Sequence, residues 1–480
     1  MEKLAHLTPR DVFGYFEALT RIPHGSGNME NISQFCLDFA KSHGLWAERD
    51  AANNVIIRKE ATKGYETAEP VILQGHLDMV CQKTENADIC FETDGLSVYE
   101  DGEFVYAEGT TLGADNGIAA AMMLAILADN TLSHPPIEAV FTTDEEIGMI
   151  GAKAMDMRRL RGKRMINMDS EDPKVVTVSC AGGSDFTARI PVRRTEKNGR
   201  SVTLSIKGLK GGHSGVEIDK GRVNANLLMG RMLNHLRKNH AFGIISLDGG
   251  DKGNAIPVSC TAKLYSEAPL ALLEEIEAYA KTVGEEIRAL EPEFVLETAV
   301  SDAGRFSVMD APVDEKLLYI LLLVPNGVQA MSAEIENLVE TSLNLGILQT
   351  KETEVLISFA LRSNKKTALS FLEEKLGVFF SIIDCNIETG GHYPPWEYRP
   401  GSEMEKLYIE KYREKTGETP RVEAIHAGLE CGVFADGIDG LDCISIGPEM
   451  HGIHTVHEKL SIRGTAMLYE IVLEMLKAMK

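Results

Sequence analysis

Five short strings in this 480-residue chain carry residue types that bind metals or move protons: Gly75-His76-Leu77-Asp78, Gly113-Ala114-Asp115-Asn116-Gly117, Thr143-Asp144-Glu145-Glu146, Asn167-Met168-Asp169-Ser170 and His454-Thr455-Val456-His457-Glu458. A strand through the first would place His76 and Asp78 on one face. A carboxylate there can accept the second ring N–H of a metal-bound histidine, although a lone His-x-Asp also fits a strand-end histidine satisfied by its neighbours. Asp115 lies between glycines where a helix opens, so it or Asn116 could equally cap that helix. Glu145 and Glu146 follow an apolar strand and point in different directions, so one can bind metal while the other moves a proton. The plain alternative for that pair is a solvated acidic loop. Asp169 ends another apolar strand. Together, two histidines and three carboxylates at strand ends form a nitrogen and oxygen donor set suited to Zn, Co or Mn.

Other chemistries lack their strings. There is no Cys-x-x-Cys pair, no phosphate-cradling glycine loop and no Gly-x-Ser-x-Gly nucleophile turn.

The elements that must position these residues alternate in type. Asn31–Ser42 spaces Ile32, Phe35, Cys36 and Phe39 as an amphipathic helix does. Val55–Arg58, Val71–Leu73, Ala139–Thr143 and Arg164–Met168 are strand-like, and Gly117–Ala128 is an alanine-rich helix. Strand–helix alternation implies an α/β sheet with site residues near strand ends. Around Gly182-Gly183 the texture changes. Alternating strands (Phe186–Pro191, Val202–Ile206, Glu354–Leu361) surround helical patterns near Val223–His240 and Leu270–Arg288, with a third at Ser332–Leu338 or Thr367–Leu376. This block reads as an α+β unit that could comprise two copies of one small module. Past His392 the α/β style returns, with a helix at Ser402–Thr416, strands at Arg421–Ala424 and Cys443–Ile446, and a last helix at Thr465–Lys480. The expected organisation is a split α/β catalytic domain, residues 1–184 and 396–480, with an α+β domain inserted at 185–395.

Composition narrows the class. Hydrophobic content of 44% and charged content of 25% are those of a globular chain, and 480 residues exceed one core. A net charge of -23 repels phosphate backbones and anionic membranes, so nucleic acid and membrane partners are not expected. No window reaches the roughly 18 apolar residues of a spanning helix. The N-terminus lacks the basic start and apolar run of a signal peptide. Eight scattered cysteines suit reduced thiols, and the expectation is a cytoplasmic protein. Trp46, Trp396 and Cys180 are expected in the core or in turns, and Met122, Met123 and Leu124 in a buried helix.

The five strings, in this order, resemble the di-zinc exopeptidases of the aminoacylase and carboxypeptidase type, and within them the aminoacyl-histidine dipeptidase branch, which cleaves carnosine-like and other dipeptides. Further strings carry the resemblance along the chain: Ile22-Pro23-His24-Gly25-Ser26-Gly27, Gly208–Gly215, Gly253-Asn254-Ala255-Ile256-Pro257, Tyr393–Trp396 and Ala424–Gly432. It implies a metal-dependent dipeptidase with two divalent ions per chain, Zn or else Co or Mn, and with the inserted domain acting as a lid.

Position by position, the resemblance makes Asp115 the bridging carboxylate, with His76 and Asp169 on one metal and Glu146 and His454 on the other. Glu145 would be the general base and Asp78 would orient His76. His213 would hold the substrate carbonyl oxygen or its oxyanion, and Asn254 and Arg362 would grip the substrate carboxylate. One departure is the string His454-Thr455-Val456-His457-Glu458, where an aspartate is usual at the fourth place. His451, His454 and His457 therefore all remain candidate ligands, and the register against Gly447-Pro448 and Glu458 favours His454. The partner expected is a small dipeptide, with a homodimer through the lid also implied. The alternatives are an N-acyl-amino-acid deacylase, a tripeptide aminopeptidase, or a catalytically inactive metal-binding scaffold.

Overall fold

The computed structural model describes residues 3–480 and divides them into two units, one of residues 3–180, 396–424 and 429–480, the other of 181–395 and 425–428. In the first unit, strands Val71–His76 and Ile137–Thr142 are buried along their whole length. Largely apolar sequence, interrupted here by the buried Gln74 and Glu138, produces such strands where both sheet faces are covered. They lie within an eight-stranded sheet of order Trp46–Arg49, Val55–Lys59, Ile137–Thr142, Val71–His76, Arg164–Asn167, Asp442–Ser445, Val175–Cys180 and Arg421–Ile425. The four strands from Ile137–Thr142 to Asp442–Ser445 run parallel, and antiparallel neighbours flank them.

Register brings the carboxyl ends of these parallel strands level. His76 lies opposite Thr142, Gln74 opposite Asn167, and Asn167 opposite Ser445. Four neighbouring strands thus release their loops at one edge, where open α/β sheets bind ligands. Helices cover the sheet. Ala114–Ala128 packs between Val71–His76 and helix Arg10–Thr20, and its Met122, Met123 and Leu124 are fully buried. Helix Glu403–Thr416 buries Met404, Tyr408 and Tyr412, a spacing of four that keeps one face inward, and Ser402 caps it by accepting the Glu405 N–H. A small sheet of Met450–His451, Lys459–Ser461, Phe104–Ala107 and Val98–Glu100 anchors the loop that carries His454.

The second unit is one long antiparallel sheet with helices packed on it around a continuous apolar core. One run of four strands, Val295–Val300, Arg194–Lys207, Cys260–Ser266 and Gly243–Gly249, meets another, Val339–Thr350, Glu354–Ser363, Gly182–Pro191 and Asn386–Tyr393. The two runs join at the single pair Gly249 and Leu348. Side chains of both runs share one core, so this unit buries its apolar surface as a whole.

Some local expectations change. The helix left open between two places is Lys366–Ser381, whereas 332–338 is turns between strands. Helix Ala311–Leu323 has no counterpart in the periodicity reading, because its leucine run is apolar nearly all round. Trp46 is 46% exposed at a sheet edge, under the Arg58 guanidinium 4.2 Å from its ring, and so is not core. Trp396 is buried and pairs with Cys180 through the backbone. All eight cysteines are free.

Candidate metal centre

Three of the strings, those of His76, Glu145-Glu146 and Asp169, leave the same edge of the first unit's sheet, whereas Asp115 opens helix Ala114–Ala128 and His454 lies in a loop between two strands of the small sheet. His76 is the last residue of its strand, and Asp169 follows strand Arg164–Asn167 by two residues. Glu145 and Glu146 stand beyond Ile137–Thr142 in a loop turned by Asp144 at φ +53°, rather than on the strand end itself. His454 lies in a loop and is also left-handed, at φ +59°.

Asp115 sits in the middle of the group. Its Oδ1 lies 3.2 Å from His76 Nε2 and its Oδ2 lies 3.2 Å from His454 Nε2. Each imidazole nitrogen also faces a second carboxylate: His76 Nε2 is 3.4 Å from Asp169 Oδ1, and His454 Nε2 is 2.9 Å from Glu146 Oε1. Two triplets of donors therefore share one carboxylate. Ligand atoms of His76, Asp115 and Glu146 also fall within 4.8 Å of one another. The donor chemistry fits divalent ions that accept imidazole and carboxylate together. Of the three histidines in the C-terminal string, His454 makes these contacts. His451 instead pairs with Glu449 at 3.1 Å beside Phe104, and His457 is exposed.

Electrostatics follow from this crowding. Burial pulls the His76 imidazole down, but Asp169, Asp115 and Asp78 carry it well above its ordinary value. Burial works against ionisation of Asp115, yet hydrogen bonds from His454 and His76 hold it far below the usual carboxylate range. Asp115 and Glu146 raise His454 to about 10. Asp169 is pushed up to about 6 by burial, against the pull of His76. Glu145 is pushed up to about 9, first by burial and then, despite His76, by Asp169, Glu430 and Glu146. These protons occupy places that cations would take.

Asp78 does more than its spacing implies, and in a different way. The closest partner of His76 Nδ1 is the Asp78 main-chain oxygen at 2.9 Å, with the carboxylate Oδ1 at 3.5 Å. The Asp78 carboxylate accepts the Ser26 hydroxyl at 2.8 Å and the N–H groups of Glu145 and Glu146 at 2.9 and 3.2 Å. It thereby ties the proton-moving loop to the histidine strand.

Two further carboxylates position the group without having been singled out in the sequence. Glu458 accepts four backbone N–H groups, those of Leu112, Gly113, Ala114 and Asp115, at 2.7 to 3.3 Å. The helix-capping role considered for Asp115 is therefore filled by Glu458, which leaves the Asp115 oxygens to the two histidines. Glu430 is fully buried, and its Oε2 accepts from Gln74 Nε2 at 2.5 Å and Thr142 Oγ1 at 2.7 Å. Asn167 donates to Gln74 Oε1 at 2.6 Å, so a polar chain crosses three strands just below the ligands. Burial, above all, moves Glu430 up to about 7. The signal for Glu430 was an acid embedded in apolar or small residues, Leu429-Glu430-Cys431-Gly432, while Glu458, between His457 and Lys459, carries no comparable signal. Asn116 donates to the Met168 main-chain oxygen at 2.8 Å, and its Oδ1 lies 2.3 Å from where a Cβ on Gly75 would be, so position 75 admits only glycine.

His213, Asn254 and Arg362 belong to the second unit. His213 Nδ1 accepts the N–H groups of Gly215 and Val216 at 3.2 and 3.3 Å, which leaves Nε2 to carry the proton of the neutral ring. Burial first, then Arg362, keeps that ring neutral by lowering its pKa. Arg362 Nη2 lies 3.5 Å from His213 Nε2, and its Nη1 donates to the Tyr393 hydroxyl at 2.9 Å. Two donors that face each other call for an oxygen acceptor between them. Asn254 shares a cavity with Arg362. His426, which the sequence reading passed over, is buried with Nε2 2.7 Å from Ser342 Oγ and Nδ1 3.2 Å from Asn364 Oδ1, and burial lowers it to about 3.

Comparison with known proteins adds a second line. The model of peptidase family M20/M25/M40 matches residues 72–478. The cytosol non-specific dipeptidase of Escherichia coli strain K12 is 35% identical over 481 residues, 99% of each chain. The crystal structure of an aminoacylhistidine dipeptidase from Vibrio alginolyticus superposes with a TM-score of 0.91 at 35% identity, covering 100% of this chain and 98% of that one. An aminopeptidase PepT from Bacillus cereus shares the fold, with a TM-score of 0.57 at 15% identity over 98% of each chain.

Proposed function

Because the chain belongs to peptidase family M20/M25/M40, we propose that it is a dipeptidase that uses two divalent ions, zinc or else cobalt or manganese, to hydrolyse unblocked dipeptides, Xaa-His among them. One observation carries the reading: Asp115 presents an oxygen to each of two imidazoles, and each imidazole has its own second carboxylate. His76, Asp115 and Asp169 would hold one ion, and His454, Asp115 and Glu146 the other. When bound, such a pair supplies an acidified water and draws electron density from the substrate carbonyl.

The remaining steps belong to the chain. Glu145 takes the proton from the attacking water and returns it to the leaving amine. Its hydrogen bonds run through the backbone, the N–H to Asp78 and the carbonyl oxygen from the N–H groups of Gly148 and Met149, which keeps the carboxylate available for this. His213, with Nε2 protonated, donates to the oxyanion that forms at the scissile carbon. Arg362 and Asn254 hold the C-terminal carboxylate of the substrate, the guanidinium contributing charge-assisted hydrogen bonds. In this reading residues 1–184 and 396–480 are the two parts of the catalytic domain, and 185–395 are the lid that recognises the substrate.

Assembly and location belong to the same proposal. Tyr319, Leu322 and Leu323 on one helix, and Phe371 and Val378 on another with Ile382 just past its end, are exposed apolar side chains of the second unit. They support a homodimer through the lid, which light scattering on the purified protein tests; a monomer at micromolar concentration contradicts it. Eight free thiols and a relative named for the cytosol support a cytoplasmic protein, and no helix among the described residues is long and apolar enough to cross a membrane.

The activity test is a substrate panel on protein reconstituted with zinc, cobalt or manganese. β-Alanyl-histidine and α-dipeptides are expected to be cut faster than tripeptides and N-acetyl amino acids. Faster cleavage of either of the latter moves the chain to the aminopeptidase or deacylase reading, and no cleavage of any substrate leaves a metal-binding scaffold.

A further inference from the structure

Two strings of the second unit, Gly208–Gly215 and Gly253–Pro257, carry His213 and Asn254 and meet as a short two-stranded ribbon. Gly212 lies opposite Ile256 and His213 opposite Ala255, and the Asn254 main-chain oxygen accepts the Ser214 N–H at 2.9 Å. A ribbon this short does not hold its own shape in water. Asn344 supplies the hold. It is wholly buried in strand Val339–Thr350, and its Nδ2 donates to the main-chain oxygens of Gly253 at 3.0 Å and Ala255 at 2.8 Å, the two residues that flank Asn254. Both acceptors are carbonyls, so the nitrogen end of the amide must face the ribbon. The Asn344 Oδ1 in turn accepts from Asn224 Nδ2 at 3.3 Å, a nitrogen that also donates to the Leu345 main-chain oxygen at 3.0 Å.

The backbone is shaped for this approach. The strand shifts register between Leu345 and Ile347, and a Cβ on the intervening Gly346 would stand 2.6 Å from the Gly253 Cα. Ile256 packs with Val339 of the same strand and with Ile218 in a small apolar cluster. On the other string, Glu217 Oε2 accepts the His213 N–H at 2.8 Å, and the buried Glu291 accepts the Lys210 N–H at 2.7 Å. One string is thus gripped by two carboxylates and the other by the Asn344 amide.

We propose that Asn344 is a positioning residue that acts through Gly253 and Ala255 to fix where Asn254 and His213 stand. Its kinetic consequence rests on the dipeptidase reading, with Asn254 at the substrate carboxylate and His213 at the oxyanion. Without the amide, two buried carbonyls lose their donor and the ribbon shifts to find others.

The test compares wild type, Asn344→Ala, the milder Asn344→Ser and Asp314→Asn. Asp314 is another buried acceptor of the second unit, bound to the Ile244 N–H and Arg237 and remote in sequence from both strings, so its variant reports general damage. On Ala-Ala, both Asn344 variants are expected to raise KM and lower kcat, with kcat/KM falling about 10²-fold, the effect of a small misplacement. Asp314→Asn is expected to keep the wild-type KM, because fewer folded molecules lower turnover without changing KM. A second readout needs no substrate: NMR titration of His213, its signal identified by its loss in His213→Gln. Burial and then Arg362 lower this imidazole while Glu217 opposes them, and in Asn344→Ala it is expected to titrate nearer the ordinary histidine value. A wild-type KM in both Asn344 variants, an equal rise in Asp314→Asn, or an unmoved His213 overturns the role of Asn344. If wild type cuts no dipeptide, the dipeptidase reading fails, and the titration alone decides whether Asn344 positions the ribbon.

Discussion

Glu145 and Glu146 are neighbours in sequence and occupy different chemical positions. Glu146 reaches His454 at 2.9 Å, while Glu145 keeps its carboxylate clear, and burial first and neighbouring acids second push it up to about 9. Replacing Glu146 with Gln removes an anionic ligand from one triplet only, so metal per chain is expected to fall from about two ions to about one. Elemental analysis after dialysis measures this, and two retained ions would remove Glu146 from the ligand set. The sequence showed two acids after an apolar strand and nothing more. Their separation depends on Asp78, which takes both amides at once through a tertiary contact that spacing cannot express. His454 was legible as one of three histidines, and its selection follows from a left-handed loop conformation that no side-chain pattern encodes.

At the scale of elements, the parallel strands were the most legible part. Val71-Ile72-Leu73, Ala139-Val140-Phe141 and Met165-Ile166 are apolar stretches within these strands, and an apolar stretch followed by a polar ligand is visible in any sequence. What holds the helix start beside Asp115 was not legible, because Glu458 comes from about 340 residues away. Glu458→Gln trades an acceptor for a donor opposite four amides. Metal affinity is then expected to fall about 10–100-fold, the usual effect of losing a partner behind a ligand. Competition with a chelator reads this out, and unaltered affinity would contradict the positioning role. In the second unit, His426 joins strand Val339–Thr350 to the residues after Glu354–Ser363 through Ser342 and Asn364. Its folded pKa, about 3, lies below the ordinary histidine value, so the unfolded chain binds the extra proton. The contribution is therefore complete above about pH 6.5 and is lost as pH falls toward 3. Unfolding of His426→Gln is expected to depend less on pH than that of wild type over this window. Equal slopes would mean that His426 is already protonated in the fold.

At the scale of the whole molecule, the chain divides its labour between a mixed α/β sheet that carries the candidate ligands and an antiparallel unit that carries His213, Asn254 and Arg362. The change of texture near Gly182-Gly183 announced this division, because strand alternation replaces fully apolar runs there. The continuous core of the second unit was less visible, since its helix Ala311–Leu323 has no polar face to give it a period. A net charge of -23 does not oppose cation binding, and it sets no preference among substrates. The central claim is that metal held on Asp115 and proton transfer by Glu145 are separable parts of one peptide hydrolysis. The direct measurement is metal content together with dipeptide turnover for wild type and Glu145→Gln. Both proteins are expected to hold about two ions, with kcat lower in the variant by about 10²–10⁴-fold. Full turnover in Glu145→Gln, or in wild type stripped of metal, would contradict the account.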